Sequence, residues 1–217
     1  MKKYLDNERG SGVILTIFSF AIVGIMLILV LNIAMVFTKK EQASIAAEHA
    51  SIAATSVVYE KIDSVVKHHV KKVLIGIDED GVEIFKYEPL IDKVRDRESA
   101  IKASNPWLSN NETYIKAVND VLSKEIPDDE DLPAKISAAI DSAKYSIPSV
   151  IRNTIAENSG EVTDFDWNFL YDENRIEVIA KTKFEAVNHD GIQFGGESDI
   201  PQRGKGPVIS FIEVSGW

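Results

Sequence analysis

The chain has 217 residues, no cysteine and a net charge of −10. That length suits one domain plus an appended element, and the missing thiols remove disulfides, thiolate metal sites and cysteine nucleophiles. From Glu41 onward lie 32 of the 34 acidic and 19 of the 24 basic residues, a net of −13; such a surface repels nucleic acid, so no nucleic-acid partner is expected.

Residues 1–12 carry Lys2, Lys3 and Arg9 against Asp6 and Glu8 and read as a short cytoplasmic tail. Val13 to Phe37 then runs for 25 residues without a charge. At about 1.5 Å per residue it is about 37 Å long, enough to cross a hydrocarbon layer of about 30 Å with some tilt. Thr16, Ser19, Gly24 and Asn32 interrupt the run without forming the polar stripe of a buried core helix. The exit, Met35-Val36-Phe37-Thr38, lacks the small-x-small pattern of a cleaved signal. Residues 13–37 are therefore expected to be a transmembrane helix with membrane lipid as partner. Three basic groups and the terminal amine precede the span and two lysines follow it, which favours a cytoplasmic N-terminus and an extracytoplasmic C-terminal domain. Gly24 would let another helix approach closely. Asn32 reads either as an interhelical hydrogen-bonding group or as a residue wetted near the headgroups.

Residues 38–74 contain no Pro or Gly and are rich in alanine. Ile45, Ile52, Tyr59, Val66 and Val73 recur every seven residues, so an amphipathic stalk helix is expected over this range. Its lower half offers mostly small side chains, and Ala46, Ala50 and Ala53 are the candidates for packing against neighbouring helices, a second copy included. Larger groups from Val57 to Val73 form a wall of the head, residues 75–217.

The head opens with VLIGIDEDGVEIFKY, two alternating runs around a turn, which predicts a β-hairpin. A helix is expected from Pro89 to Ala103, then a break at Asn105-Pro106-Trp107, then a helix capped by Asn111 and running to about Ile126. Pro127 to Pro133 is an acidic loop. Pro133 begins another helix, interrupted at Pro148, with a further helix to Asn158. From Phe165 the period changes to two, and Phe165–Phe169 and Ile176–Phe184 form an antiparallel hairpin around a turn at Tyr171–Arg175. A glycine-rich loop and a last strand, Val208 to Val214, close the chain. The fold class is α+β: a single N-terminal transmembrane helix continuing into a long amphipathic helix, a helical middle and a C-terminal antiparallel sheet.

No enzyme constellation stands out, and neither cofactor nor metal is expected. Adjacent His68 and His69 point about 100° apart on a helix and cannot share an ion. Asp78-Glu79-Asp80-Gly81 places its glycine too early for a calcium loop. Asp128 to Asp131 reads as a solvated acidic loop. The glycines at 191, 195, 196, 204 and 206 do not link a strand to a helix, so they make no phosphate cradle. Arg203 and Lys205, in the basic turn 202–207, are candidates for contact with an acidic neighbouring subunit or simply part of a loop that needs glycine geometry.

Asn7 to Ala54 resembles the N-terminal region of the TadE/TadG-like proteins of tight-adherence, Flp-type pilus systems. The matching features are Asn7-Glu8-Arg9-Gly10-Ser11-Gly12, the apolar span directly after them, Lys39-Lys40 with Gln42, and AEHASIAA. Pilin-like members cut by a prepilin peptidase carry a glutamate five residues beyond the cleavage glycine; Leu15 and Ile17 stand at those distances from Gly10 and Gly12. The departure fits the TadG-like members, which keep their anchor. The resemblance implies a non-enzymatic, membrane-anchored component of a pilus-like surface or secretion apparatus, with other subunits of that apparatus as partners. The alternative is a membrane-anchored extracytoplasmic ligand-binding or sensory domain.

Overall fold

The structure is a computed structural model that describes residues 9–158, 162–170, 173–185, 188–189, 192–193 and 197–215. Its first element is one helix, α1 (Arg9–His68), of 60 residues, about 90 Å long at the usual rise. No Pro or Gly lies between Gly24 and Gly76, so nothing in the sequence breaks it. Lys67 and His68 supply the basic last turn that a helix C-terminus favours.

The helix ends six residues before the expected Leu74. Val70 to Ile77 is instead strand β1, paired antiparallel with β2 (Glu83–Pro89). Run lengths of valine, isoleucine and lysine do not separate helix from strand, and the pairing with β2 decides the outcome. The turn between them is the expected one. Asp78 Oδ1 accepts from the N–H of Asp80 at 3.0 Å and of Val82 at 2.8 Å, and Gly81 takes φ +80°, a left-handed geometry that glycine adopts without strain.

Two helices follow, α2 (Leu90–Ser104) and α3 (Asn110–Glu125). The cap of α3 is Ser109, not Asn111. Its hydroxyl accepts from the Glu112 N–H at 3.2 Å, while the Glu112 carboxylate accepts from the Ser109 N–H at 2.9 Å, a reciprocal pairing of two orphan donors. Helix α4 (Leu132–Asn158) passes through Pro148 without ending. Proline in a helix interior costs about 3 kcal/mol, but Ile136, Ile140, Ile147, Ile151 and Ile155 form one buried stripe on both sides of it. Packing that stripe against α1 outweighs the lost hydrogen bond.

A three-stranded antiparallel sheet has the order β3 (Val162–Leu170), β4 (Arg175–Glu185), β7 (Glu197–Lys205). A two-residue pair, β5 (Asn188–His189) and β6 (Ile192–Gln193), lies between β4 and β7 in the chain. The predicted hairpin of β3 and β4 is present, with Phe165 opposite Ala180 and Trp167 opposite Val178. Strand β7 was not expected, since its residues read as a loop. Val208 to Val214 is not a strand; it turns into a short helix, α5 (Ile212–Ser215), that buries Ile209, Phe211 and Ile212.

The core explains the layout. Ala46, Ala47, Ala50, Ala54, Val58, Ile62 and Val66 form a continuous buried stripe on α1, covered by α4, β4 and β7. Its lower, small-residue part lets the sheet come close. A Cβ added to Gly204 would lie 2.3 Å from the backbone of Ala47 and Glu48, and one on Gly206 would lie 2.2 Å from Thr55 Oγ1. Strand β7 therefore lies directly on α1 because both surfaces lack side-chain bulk. Higher up, Tyr59 meets Phe211 edge to face at 6.1 Å. Its hydroxyl lies 3.1 Å from Asn119 Oδ1 and 3.2 Å from the Val208 carbonyl, and burial pushes the phenol pKa up.

Candidate interaction surfaces

The lower half of α1 is bare. From Val13 to Phe37 large apolar side chains are mostly half exposed or more, up to 73% at Phe20. A water-exposed surface of this size and apolarity is unstable, and its length and composition meet the requirement for crossing a membrane. Gly24 has nothing within 4 Å of where a Cβ would sit, so its face is open to another helix. Asn32, by contrast, is 8% exposed and already has a partner within the chain.

The upper part of α1 offers a different surface from the one expected. Ala46 and Ala50 are fully buried within the chain's own core, and Ala53 is half-buried. No partner helix can reach the first two without displacing the elements packed on α1, which are α4, β4 and β7. The uncovered side carries Ile45 at 42% and Ile52 at 44% exposure, seven residues apart, with Glu41, Glu48 and Ser56 around them. Sequence periodicity finds two apolar faces here, a broad alanine face and a narrow isoleucine face. It does not say which the head covers.

Arg203 and Lys205 sit in strand β7, not in a flexible turn. Arg203 Nη1 donates to both carboxylate oxygens of Glu177 at 3.2 and 3.3 Å, and Lys205 Nζ to Glu173 at 2.6 Å. Both cations are paired within the chain while their side chains remain 68% and 43% exposed. Of the glycines expected in this loop, 191, 195 and 196 lie outside the described residues, as do Asn7, Glu8 and the turn residues Tyr171 and Asp172.

A buried polar cluster that sequence spacing does not reveal lies at the upper end of α1. His69 sits just past α1, at 4% exposure. Its Nε2 lies 2.7 Å from Asp129 Oδ2, and Lys135 Nζ lies 3.1 Å from its Nδ1. An ammonium only donates. Nδ1 therefore accepts, and the ring proton sits on Nε2 and is donated to Asp129. Burial pushes the Asp129 carboxyl up, but hydrogen bonds from His69 and from the Leu132 and Asp131 N–H groups outweigh it and hold the pKa below its usual value. Asp129 thus caps α4 and clamps it to the end of α1. Beside it, Glu125 takes Lys93 at 2.8 Å and Lys71 at 3.3 Å. Burial also raises this carboxyl, and the two lysines bring it below the ordinary range. The partners lie 32 to 66 residues apart, so no local pattern reveals them. Both clusters are structural ties between α1, β1, α2, α3 and α4. Among the described residues no group of three or more His, Asp or Glu is arranged to hold a metal ion.

Exposed apolar groups also mark the hairpin tip, with Ile75, Ile77 and Val82 at 59–63%, and single aromatic side chains stand out at Trp107 and Tyr145.

Residues 10–57 match the family model described as Tad, putative Flp pilus-assembly TadE/G-like. The match covers the bare apolar part of α1 and the first turns that the head covers, and agrees with the resemblance carried by residues 7–54. Together with the apolar helix it supports, in general terms, a membrane-anchored protein related to pilus assembly. No curated protein matches the chain, and no solved structure does.

Proposed function

We propose that this chain is a non-enzymatic component of a pilus-like surface or secretion apparatus, in an assembly or minor-pilin-like role. The span holds it in the cytoplasmic membrane with the N-terminus inside and the α+β head outside. Other subunits, or a second copy, dock along the uncovered face of α1. The observation that carries this reading is the coincidence of the matched residues 10–57 with a helix that is bare over its lower half and keeps Ile45 and Ile52 exposed where the head begins. The Tad match supports the apparatus, and the excess of basic groups before the span supports the orientation. Packing a helix onto Ile45 and Ile52 would bury two branched side chains, worth up to about 1.5–3 kcal/mol each if fully covered.

Two experiments test it. In the native membrane, Ile45→Asp/Ile52→Asp should retain the head's melting temperature yet lose cross-links to, and co-purification with, the apparatus. Undiminished recovery of the complex would refute docking on this face. The chain has no cysteine, so Tyr145→Cys, at a side chain 90% exposed, gives a single reporter. It should react with a membrane-impermeant maleimide in intact spheroplasts; reaction only after lysis would reverse the orientation.

A further inference from the structure

The three-stranded sheet has two edges, and they differ. Gly206 N–H donates to the Ile176 carbonyl at 2.9 Å. With the register Val178 opposite Gly204 and Glu177 opposite Lys205, this makes the even-numbered residues of β4 and β7 the mutually hydrogen-bonded pairs. The odd-numbered residues of β7, Pro201, Arg203 and Lys205, turn their backbone groups outward. Pro201 has no N–H to offer there and its neighbours are charged, which blunts this edge against further pairing.

By the same alternation the odd residues of β4 bond to β3. Asp164, Asp166 and Asn168 then spend their backbone groups on Lys181, Ile179 and Glu177, and Phe165 and Trp167 turn theirs outward, where the Phe165 N–H donates to Asp164 Oδ1 at 2.9 Å. Strand β3 has nine residues and contains no Pro, Gly or Lys. Among the described residues no strand continues the sheet beyond it. Phe165 and Trp167 on the inner face are only partly covered. On the outer face the side chains of Asp164 and Asp166 are 67% and 60% exposed, and a single cation, Lys181, serves both at 3.4 and 2.7 Å. The row keeps a net negative charge.

We propose that β3 is an acceptor edge for an extended segment of a basic partner protein, which adds as a fourth strand. The Trp167 backbone groups and the Phe165 carbonyl bind its main chain. Alternate basic side chains meet Asp164 and Asp166, and the apolar ones between them cover the two aromatic rings. Another copy of this chain fits poorly, since the opposite edge of its three-stranded sheet is stopped by Pro201 and its overall charge is acidic. This surface is separate from the α1 face, so loss of one leaves the other intact.

The test uses the full chain in zwitterionic nanodiscs with Trp107→Phe and Trp217→Phe, leaving Trp167 as the only indole of the three. The probe is a capped, labelled octapeptide of alternating lysine and valine. Saturable binding by anisotropy with a blue shift of Trp167 emission is expected. Asp164→Asn/Asp166→Asn should weaken binding at least tenfold at low salt, and the same peptide N-methylated at every other residue should not bind. Equal binding of the N-methylated peptide, or binding without a Trp167 shift, would overturn the proposal. So would a Trp167 already shielded by concentration-dependent self-association, which would make a second copy the occupant. Unchanged far-ultraviolet circular dichroism establishes that each variant is folded.

Discussion

Gly204→Ala probes the contact on which the head's attachment to α1 depends. The added methyl would sit 2.3 Å from the carbonyl carbon and oxygen of Ala47 and the nitrogen of Glu48. These are main-chain atoms of a helix interior, so no side-chain rotation relieves the clash. Over-packing a well-filled core costs about 1–3 kcal/mol, and a clash with backbone on both sides belongs at the upper end, about 3 kcal/mol. For a protein of this size each kcal/mol lowers the melting temperature by about 2–4 °C, so a drop of about 6–12 °C is expected for the full chain in nanodiscs, followed by near-ultraviolet circular dichroism. Gly76→Ala is the control, because nothing lies within 4 Å of its added Cβ. A second prediction separates this mechanism from simple crowding. Ala47→Gly removes only a Cβ and leaves the obstructing backbone in place, so it should not rescue Gly204→Ala. A Gly204→Ala melting temperature within 1 °C of the parent, or full rescue by Ala47→Gly, would refute the backbone-contact argument.

Three further outcomes follow from the packing. Ala50→Leu, at a residue that sequence alone offers as a contact for neighbouring helices, should destabilise the head by about 1–3 kcal/mol in denaturant titrations, because Ala50 has no exposed surface. Ser109→Ala should cost about 1 kcal/mol through the lost cap of α3, measured as a shift of the urea midpoint at constant slope. Glu125 and Asp129 have folded-state pKa values below their ordinary ones. Their contribution is therefore complete above about pH 5 and is lost as pH falls below about 4 through the lowered values. Chemical denaturation between pH 3 and 6 should show that slope, and Glu125→Gln should flatten it.

Much of this fold is written in local patterns. The span needs only an uncharged run, the β1–β2 turn needs Asp78 and Gly81, and the β3–β4 hairpin needs strict alternation from Phe165 to Thr182. Each is a signal that its own neighbours complete. The misreadings share a cause in contacts distant along the chain. Glycines 204 and 206 look like loop residues until α1 is laid against them. Pro148 looks like a helix end until the isoleucines on both sides are seen to share one partner. Ala46 and Ala50 look like an intermolecular seam because alanine periodicity is silent about which surface arrives first. The His69–Asp129 pairing spans 60 residues, and only the fold reveals it.

The unbroken course of α1 has a mechanical consequence. A head joined to its anchor by a flexible tether could tilt and spin above the lipid. Here the same rod that carries the apolar span is buried under the head from Ala43 onward, with no Pro or Gly between. Any axial push or twist delivered to the membrane end must reappear at the outer end at nearly full amplitude, so height above the bilayer and compass heading are both set at insertion.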